Sequence, residues 1–129
     1  MLPDELARRL HAHPATAGLR LIVLHGSRAR GDAHAGSDWD LGVLADGGPP
    51  DAAALTSAVV EVVGSEAVDV VDLRRASALL RYRAARDGIP LLQRPAGAFV
   101  EFQVEAATFW CDVERVVREA HERVLADLA

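Results

Sequence analysis

The segment from Leu19 to Ala45 constrains this chain more than any other. An apolar run, LRLIVLH over Leu19–His25, leads into Gly26-Ser27, and ten residues later Asp38-Trp39-Asp40 opens a second apolar run, DLGVLA. Apolar runs of this length bounded by turn residues read as strands. Strand side chains alternate faces, so Asp38 and Asp40 share one face while Trp39 and Leu41 take the other. Asp40 lies inside its run, where a carboxylate is costly to bury without a metal or a partner. Gly26 falls where the first strand ends and lets the backbone approach a phosphate closely. Ser27 offers a hydroxyl and an N–H at the start of the next segment, as helix N-termini do for anions. Two carboxylates on one face beside such a turn make a hard-oxygen site suited to Mg²⁺. The combination points to metal-assisted chemistry on a nucleoside triphosphate.

Gly26-Ser27, the ten-residue gap and Asp38-Trp39-Asp40 together resemble the signature of the DNA polymerase β-like nucleotidyltransferase superfamily. The small size points to its minimal nucleotidyltransferase (MNT) branch. VDVVDLRRASALLRYRAARDGIPLLQR, Val68 to Arg94, is similar to the segment that follows the motif in MNT proteins, so the resemblance runs from about Leu19 to Arg94. The long C-terminal segment is compatible with it. The resemblance implies an α/β (α+β) fold, a mixed, palm-like sheet flanked by helices with a long C-terminal helix. It implies a third carboxylate on a later strand and a Mg-dependent transfer from ATP. Two Mg²⁺ ions about 4 Å apart are then held by Asp38, Asp40 and the third carboxylate. Gly26, Ser27, Arg28 and Ser37 are the residues placed for nucleotide binding.

MNT proteins are commonly antitoxins paired with a HEPT-domain toxin, and the family activity is AMP transfer from ATP to a tyrosine of that toxin. The implied partner is therefore a HEPT-type toxin. Two other readings stay open: an adenylyltransferase acting on a small-molecule hydroxyl, as aminoglycoside nucleotidyltransferases do, and a non-catalytic antitoxin that acts by binding alone.

For the third carboxylate the run VDVVDL offers two candidates. Asp69, Val71 and Leu73 share one face, and Val68, Val70 and Asp72 the other, so both aspartates cannot reach the same site from a regular strand. Position in the family pattern selects Asp69. Asp72, beside Arg74 and Arg75, reads as a cap or surface partner, and Glu66 is a distant third choice. Arg28 and Arg30 follow the Gly-Ser turn where a triphosphate needs countercharge, and they read equally well as solvated residues of a short surface helix. Ser27 also fits a plain helix N-cap, and Ser37 a plain loop serine. His25, at the end of the first strand, is within reach of a nucleotide but reads first as a satisfied residue under the loop, and Trp39 reads as core.

Composition narrows the remaining classes. The chain has 129 residues and a formal net charge of −5. All its basic residues are arginine. An acidic chain lacks the footprint expected of a duplex or long-RNA binder. No apolar run approaches a membrane span, and the N-terminus reads as an amphipathic helix, not a secretory leader. Cys111 is the only cysteine, which excludes an intrachain disulfide and a cysteine zinc cluster. The cytoplasm is the expected compartment.

One domain spans 1–129, with a core over about 19–94 and a helical extension over about 96–128. Helices are expected over Pro3–His13, with Leu2, Leu6 and Leu10 on one side, from Pro50-Asp51 to Gly64, over Ala76–Arg86, and from Ala96 to the end. Strands are expected from Leu19, over Asp38–Ala45 and Ala67–Leu73, and at IPLLQ. The aromatic residues of the last helix (Phe99, Phe102, Phe109 and Trp110) spread wider than one face needs; a buried helix is the default expectation, with part of the surplus available to a partner.

Overall fold

The computed structural model describes all of residues 1–129. Helix α1 spans Pro3–Ala12, with proline in its first turn and Asp4 and Glu5 beside it, where a helix N-terminus favours both. Leu6 and Leu10 are fully buried. Leu2, expected on the same side, precedes the helix and is 76% exposed. A turn of 3₁₀ helix, Pro14–Thr16, leads to strand β1, Leu19–His25. A four-residue helix α2, Ser27–Arg30, follows directly, and β2 runs from Trp39 to Ala45.

Helix α3, Ala52–Val63, is bounded at both ends by sequence-local chemistry. Asp51 accepts a hydrogen bond from the Ala54 N–H at 3.1 Å, and Gly64 closes the helix in the left-handed region at φ 72°. Strand β3 is Val68–Asp72, α4 is Ala78–Asp87, capped by Ser77, and β4 is Ile89–Gln93. The last helix, α5, covers Ala98–Leu128.

The strands form one sheet in the order β3-β2-β1-β4. β1 pairs antiparallel with β2 and with β4, while β2 and β3 are parallel, joined by the α3 crossover. Alternation sends each strand's apolar residues to two cores. On one face Ile22, Leu24, Trp39, Leu41 and Val43 pack with Leu6 and Leu10 of α1 and Leu55 and Val59 of α3. On the other, Leu21, Val23 and Leu73 pack with Ala84 and Ala85 of α4 and Ala98, Phe102 and Ala106 of α5. Truncating a fully buried leucine such as Leu6 to alanine costs about 2–5 kcal/mol on this scale of burial.

Only the first part of α5 belongs to that core. Tyr82 stacks on Trp110 at 5.6 Å, and the Arg81 guanidinium lies 4.5 Å from the Phe109 ring centroid. Beyond them Val116, Val124 and Leu128 stand open, the last 78% exposed. The default of a helix buried along its length is overturned for the distal half. A spacing of three and four identifies an apolar stripe but not what covers it.

Candidate active site

Strand register assembles the carboxylates. Asp40 of β2 is the direct partner of Asp69 on parallel β3, and of His25 on antiparallel β1. Residues paired across neighbouring strands project to the same face, so His25, Asp40 and Asp69 form a row across the sheet on its α4/α5 side. Asp38 precedes the strand, which begins at Trp39 and not at Asp38 as expected, and its charge still acts on Asp40. Asp72 pairs with Val43, at the other end of β3, and accepts a hydrogen bond from the Arg74 N–H at 3.0 Å. It caps the turn out of the strand and lies away from the row.

Gly26 makes the row possible. Its φ of 71° and ψ of −157° belong to a region that essentially only glycine occupies. Its missing side chain leaves the space that the Asp40 carboxylate fills: a Cβ built there would collide with Asp40 Oδ2. The glycine read as a place for phosphate to approach is thus also a place for this carboxylate to lie. Gly26 is the N-cap of α2, and Ser27 is its first residue; no side-chain cap hydrogen bond forms, so the plain capping reading of Ser27 does not hold.

Burial first, and neighbouring like charges after it, act on Asp40. Burial holds its carboxyl above the ordinary value; His25 opposes this, and Asp69 and Asp38 push the same way as burial. Burial likewise lowers the His25 imidazole, against the pull of Asp40 and Asp69. His25 Nε2 is buried without a hydrogen-bond partner, which corrects the expectation of a satisfied histidine under the loop.

A cavity of about 350 Å³ adjoins this row, lined by His25, Gly26, Arg30, Ser77, Leu79, Leu80 and Arg83. A volume of that order lies within the range of small-molecule sites. Another cavity, of about 230 Å³, sits at the far end of the same sheet face beside Arg20 and Glu101, and neither His25 nor Gly26 lines it. Arg28, expected at the phosphates, is directed elsewhere. Its Nε and Nη2 donate to the Ser37 carbonyl at 3.2 and 2.8 Å, and its guanidinium stacks 3.9 Å from the Trp39 ring centroid. Ser37 closes the same loop, its Oγ accepting the His34 N–H at 2.9 Å. Both residues hold the loop that carries the chain from α2 to Asp38. Ser77, Leu80 and Arg83 were missed from sequence; the only signal was that the helix after β3 carries its arginines at RYRAAR.

Asp38, Asp40 and Asp69 carry carboxylate oxygens, the donor type that suits a hard divalent cation. The arrangement is open, with no three His, Cys, Asp or Glu side chains gathered tightly enough to cage an ion. Mg²⁺ tolerates such a site because it retains several waters and takes substrate phosphates as ligands.

The fold and its site have counterparts among known proteins. Residues 12–96 match the family described as polymerase beta, nucleotidyltransferase. The chain is 30% identical over 117 residues to protein adenylyltransferase MntA of Aphanizomenon flos-aquae (strain 2012/KM1/D3), covering 82% of this chain and 78% of that one. A toxin–antitoxin crystal structure with AMP-PNP superposes with a TM-score of 0.77 at 24% identity, over 97% of this chain and 99% of that one. An MNT antitoxin complexed with a tri-AMPylated HEPN toxin of Shewanella oneidensis gives 0.69 at 22% identity, covering 96% and 99%. The likeness to the solved structures is one of fold and includes the mixed sheet and the long last helix. With its Gly-Ser turn set against the in-register carboxylates of β2 and β3, the chain belongs to the polymerase β nucleotidyltransferase family.

Proposed function

We propose that this chain is a Mg-dependent protein adenylyltransferase, the antitoxin of a pair, which moves AMP from ATP to a tyrosine hydroxyl of a HEPT-type toxin. The observation that carries the reading is the register of Asp40 with Asp69 beside the Gly26-Ser27 turn. The relative at 30% identity is named as a protein adenylyltransferase, and the superposed structures are of toxin–antitoxin complexes, one of them with an AMPylated toxin.

Asp38, Asp40 and Asp69 would hold Mg²⁺. The bound metal supplies charge stabilisation at the α-phosphate and pyrophosphate and acidifies the acceptor hydroxyl. The chain's own part is positioning. Gly26 and the Ser27 N–H and hydroxyl face the phosphates at the end of β1, and Asp40 is held against Gly26 so that the carboxylate row stands beside them. The acceptor oxygen forms a bond to the α-phosphorus, the α–β anhydride bond breaks, and pyrophosphate leaves as the hydroxyl loses its proton. Holding the reacting groups in line accounts for much of such catalysis, and a small scaffold is sufficient for it. No helix of the chain is long and apolar enough to cross a membrane, which is consistent with a cytoplasmic pair.

The test is incubation with labelled ATP, Mg²⁺ and a HEPT-type protein, followed by mass spectrometry of that protein. Added AMP on a partner tyrosine is the expected result. Label only on a small-molecule hydroxyl overturns the choice of acceptor, and silencing of the partner without any label favours action by binding alone.

A further inference from the structure

The cavity at the end of the sheet away from the carboxylate row has a lining that the transfer reaction does not use. Its floor is apolar and buried, made by Leu44 of β2, Leu73 just after β3, and Ala98, Phe102 and Ala106 of α5. Ala98 and Ala106 bring only methyl groups to this part of the core, so the space above Leu44 and Leu73 stays open. Leu44 lies four residues along β2 from Asp40, about 13 Å at strand spacing.

The rim is charged, with Arg20, Arg74 and Arg81 beside Glu101 and Glu105. Two of the guanidiniums are held by neutral groups. Arg74 Nη1 donates to the Gly47 carbonyl at 2.9 Å. Arg81 donates from Nε to the Ala76 carbonyl at 3.1 Å and from Nη2 to the Arg74 carbonyl at 3.0 Å. Carbonyls orient a guanidinium without neutralising it, and neither arginine forms an ion pair within the chain. Arg20 pairs with Glu101 at 3.1 Å, yet its Nε is buried with no acceptor. A buried donor in that state calls for a partner. What the set lacks is an oxyanion.

Size and charge narrow the choice of anion. A volume of about 230 Å³ falls below the roughly 300–1,000 Å³ of sites for larger ligands, which excludes a nucleotide and admits a body of one ring. Three guanidiniums against two carboxylates leave a single positive charge, which a monoanion matches and a phosphate dianion exceeds. A planar carboxylate meets a guanidinium fork with two parallel hydrogen bonds, and the apolar floor receives what the carboxylate carries.

We propose that this cavity binds a small monocarboxylate with an apolar body, its carboxylate among Arg20, Arg74 and Arg81 and its body on Leu44, Leu73 and Phe102. The site is separate from the carboxylate row and does not depend on what accepts the nucleotide. A ligand bound there bridges the sheet and the root of α5.

The test is titration of the full chain with benzoate, benzamide and inorganic phosphate, followed by ¹H–¹⁵N NMR, with thermal melting of each variant to confirm folding. Benzamide keeps the ring without the charge, and phosphate the charge without the ring. Benzoate is expected to give saturable shifts at the amides of Leu44, Leu73, Ala98 and Ala106. The other two probes should bind at least about tenfold more weakly, the size of a lost charge-assisted hydrogen bond. R74Q and R81Q should each weaken benzoate by about tenfold. Ala106→Leu, which fills the floor and leaves the charges in place, should abolish the shifts. The proposal is overturned if wild type shows no saturable benzoate shift, binds benzamide or phosphate as tightly, or shifts at Gly26 and Asp40 instead. Unaltered benzoate affinity in both folded arginine variants overturns it as well.

Discussion

The Asp40 carboxylate rests against Gly26, in the space a Cβ would take: a methyl group there would stand 3.2 Å from Asp40 Cγ and collide with Oδ2. The glycine of the turn and the aspartate of the next strand are therefore one unit, and the spacing between them in sequence spans the loop that brings them together. Gly26→Ala is expected to abolish transfer by displacing Asp40, and to cost about 1–3 kcal/mol through the backbone at φ 71°. Denaturant melts and a transfer assay check it. Full activity in a stably folded variant would show that the contact is incidental.

Asp40 itself is expected to oppose stability. Its carboxyl lies above the ordinary value of 3.8, by burial first and by Asp69 and Asp38 as well. The folded chain therefore holds the proton more tightly than the unfolded one. Stability falls as pH rises from 3.8 through the raised folded value, and stays lower above it. Asp40→Asn removes that loss. In metal-free buffer the variant should melt at or above wild type at pH 7, by no more than ~2 °C because solvent screens much of this carboxylate. The difference should shrink as pH falls toward 3.8. Transfer activity should be lost. A markedly lower melting temperature would mean that the carboxylate has a structural partner.

His25 carries a pH dependence of the opposite sign. Its imidazole is lowered, chiefly by burial, below the ordinary 6.5, so the unfolded chain binds the proton first. Stability should decline as pH falls below 6.5, until the folded value is passed. In His25→Gln that part of the acid limb should flatten, as melts across the range from pH 7 to pH 5 would record. An unaltered acid limb would show that the histidine titrates alike in the folded and unfolded chains.

Much of the fold was legible because its boundaries are set by local chemistry. Asp51 and Gly64 bracket α3, and alternation in DWDLGVLA separates Trp39 from Asp40 before any packing is considered, whereas α4, expected from Ala76, begins at Ala78 because Ser77 caps it. The site was legible only as far as the strands determine it. Arg28 looks like a phosphate ligand because its neighbours in sequence are Gly26 and Ser27; its actual partner is a carbonyl nine residues on, which only the closed loop brings near. Arg83 comes to line the cavity beside Gly26 through the packing of α4 on the sheet, a long-range event with no local mark. The exposed half of α5 was hidden for the same reason, since its apolar spacing matches that of the half that is buried.

Register also separates the two aspartates of β3. Asp69 pairs with Asp40, whereas Asp72 holds the Arg74 N–H at 3.0 Å at the strand's other end. Asp69→Asn should therefore lose transfer activity by two or more orders of magnitude, as for a lost transition-state stabiliser, and keep its melting temperature. Asp72→Asn should keep most activity. Asparagine retains an oxygen for the Arg74 N–H, so its stability should drop by less than ~1 kcal/mol, while Asp72→Ala, which leaves that donor to solvent, should lose about 1 kcal/mol. Parallel assays and melts of the three variants decide the assignment, and an inactive Asp72→Asn beside an active Asp69→Asn would reverse it.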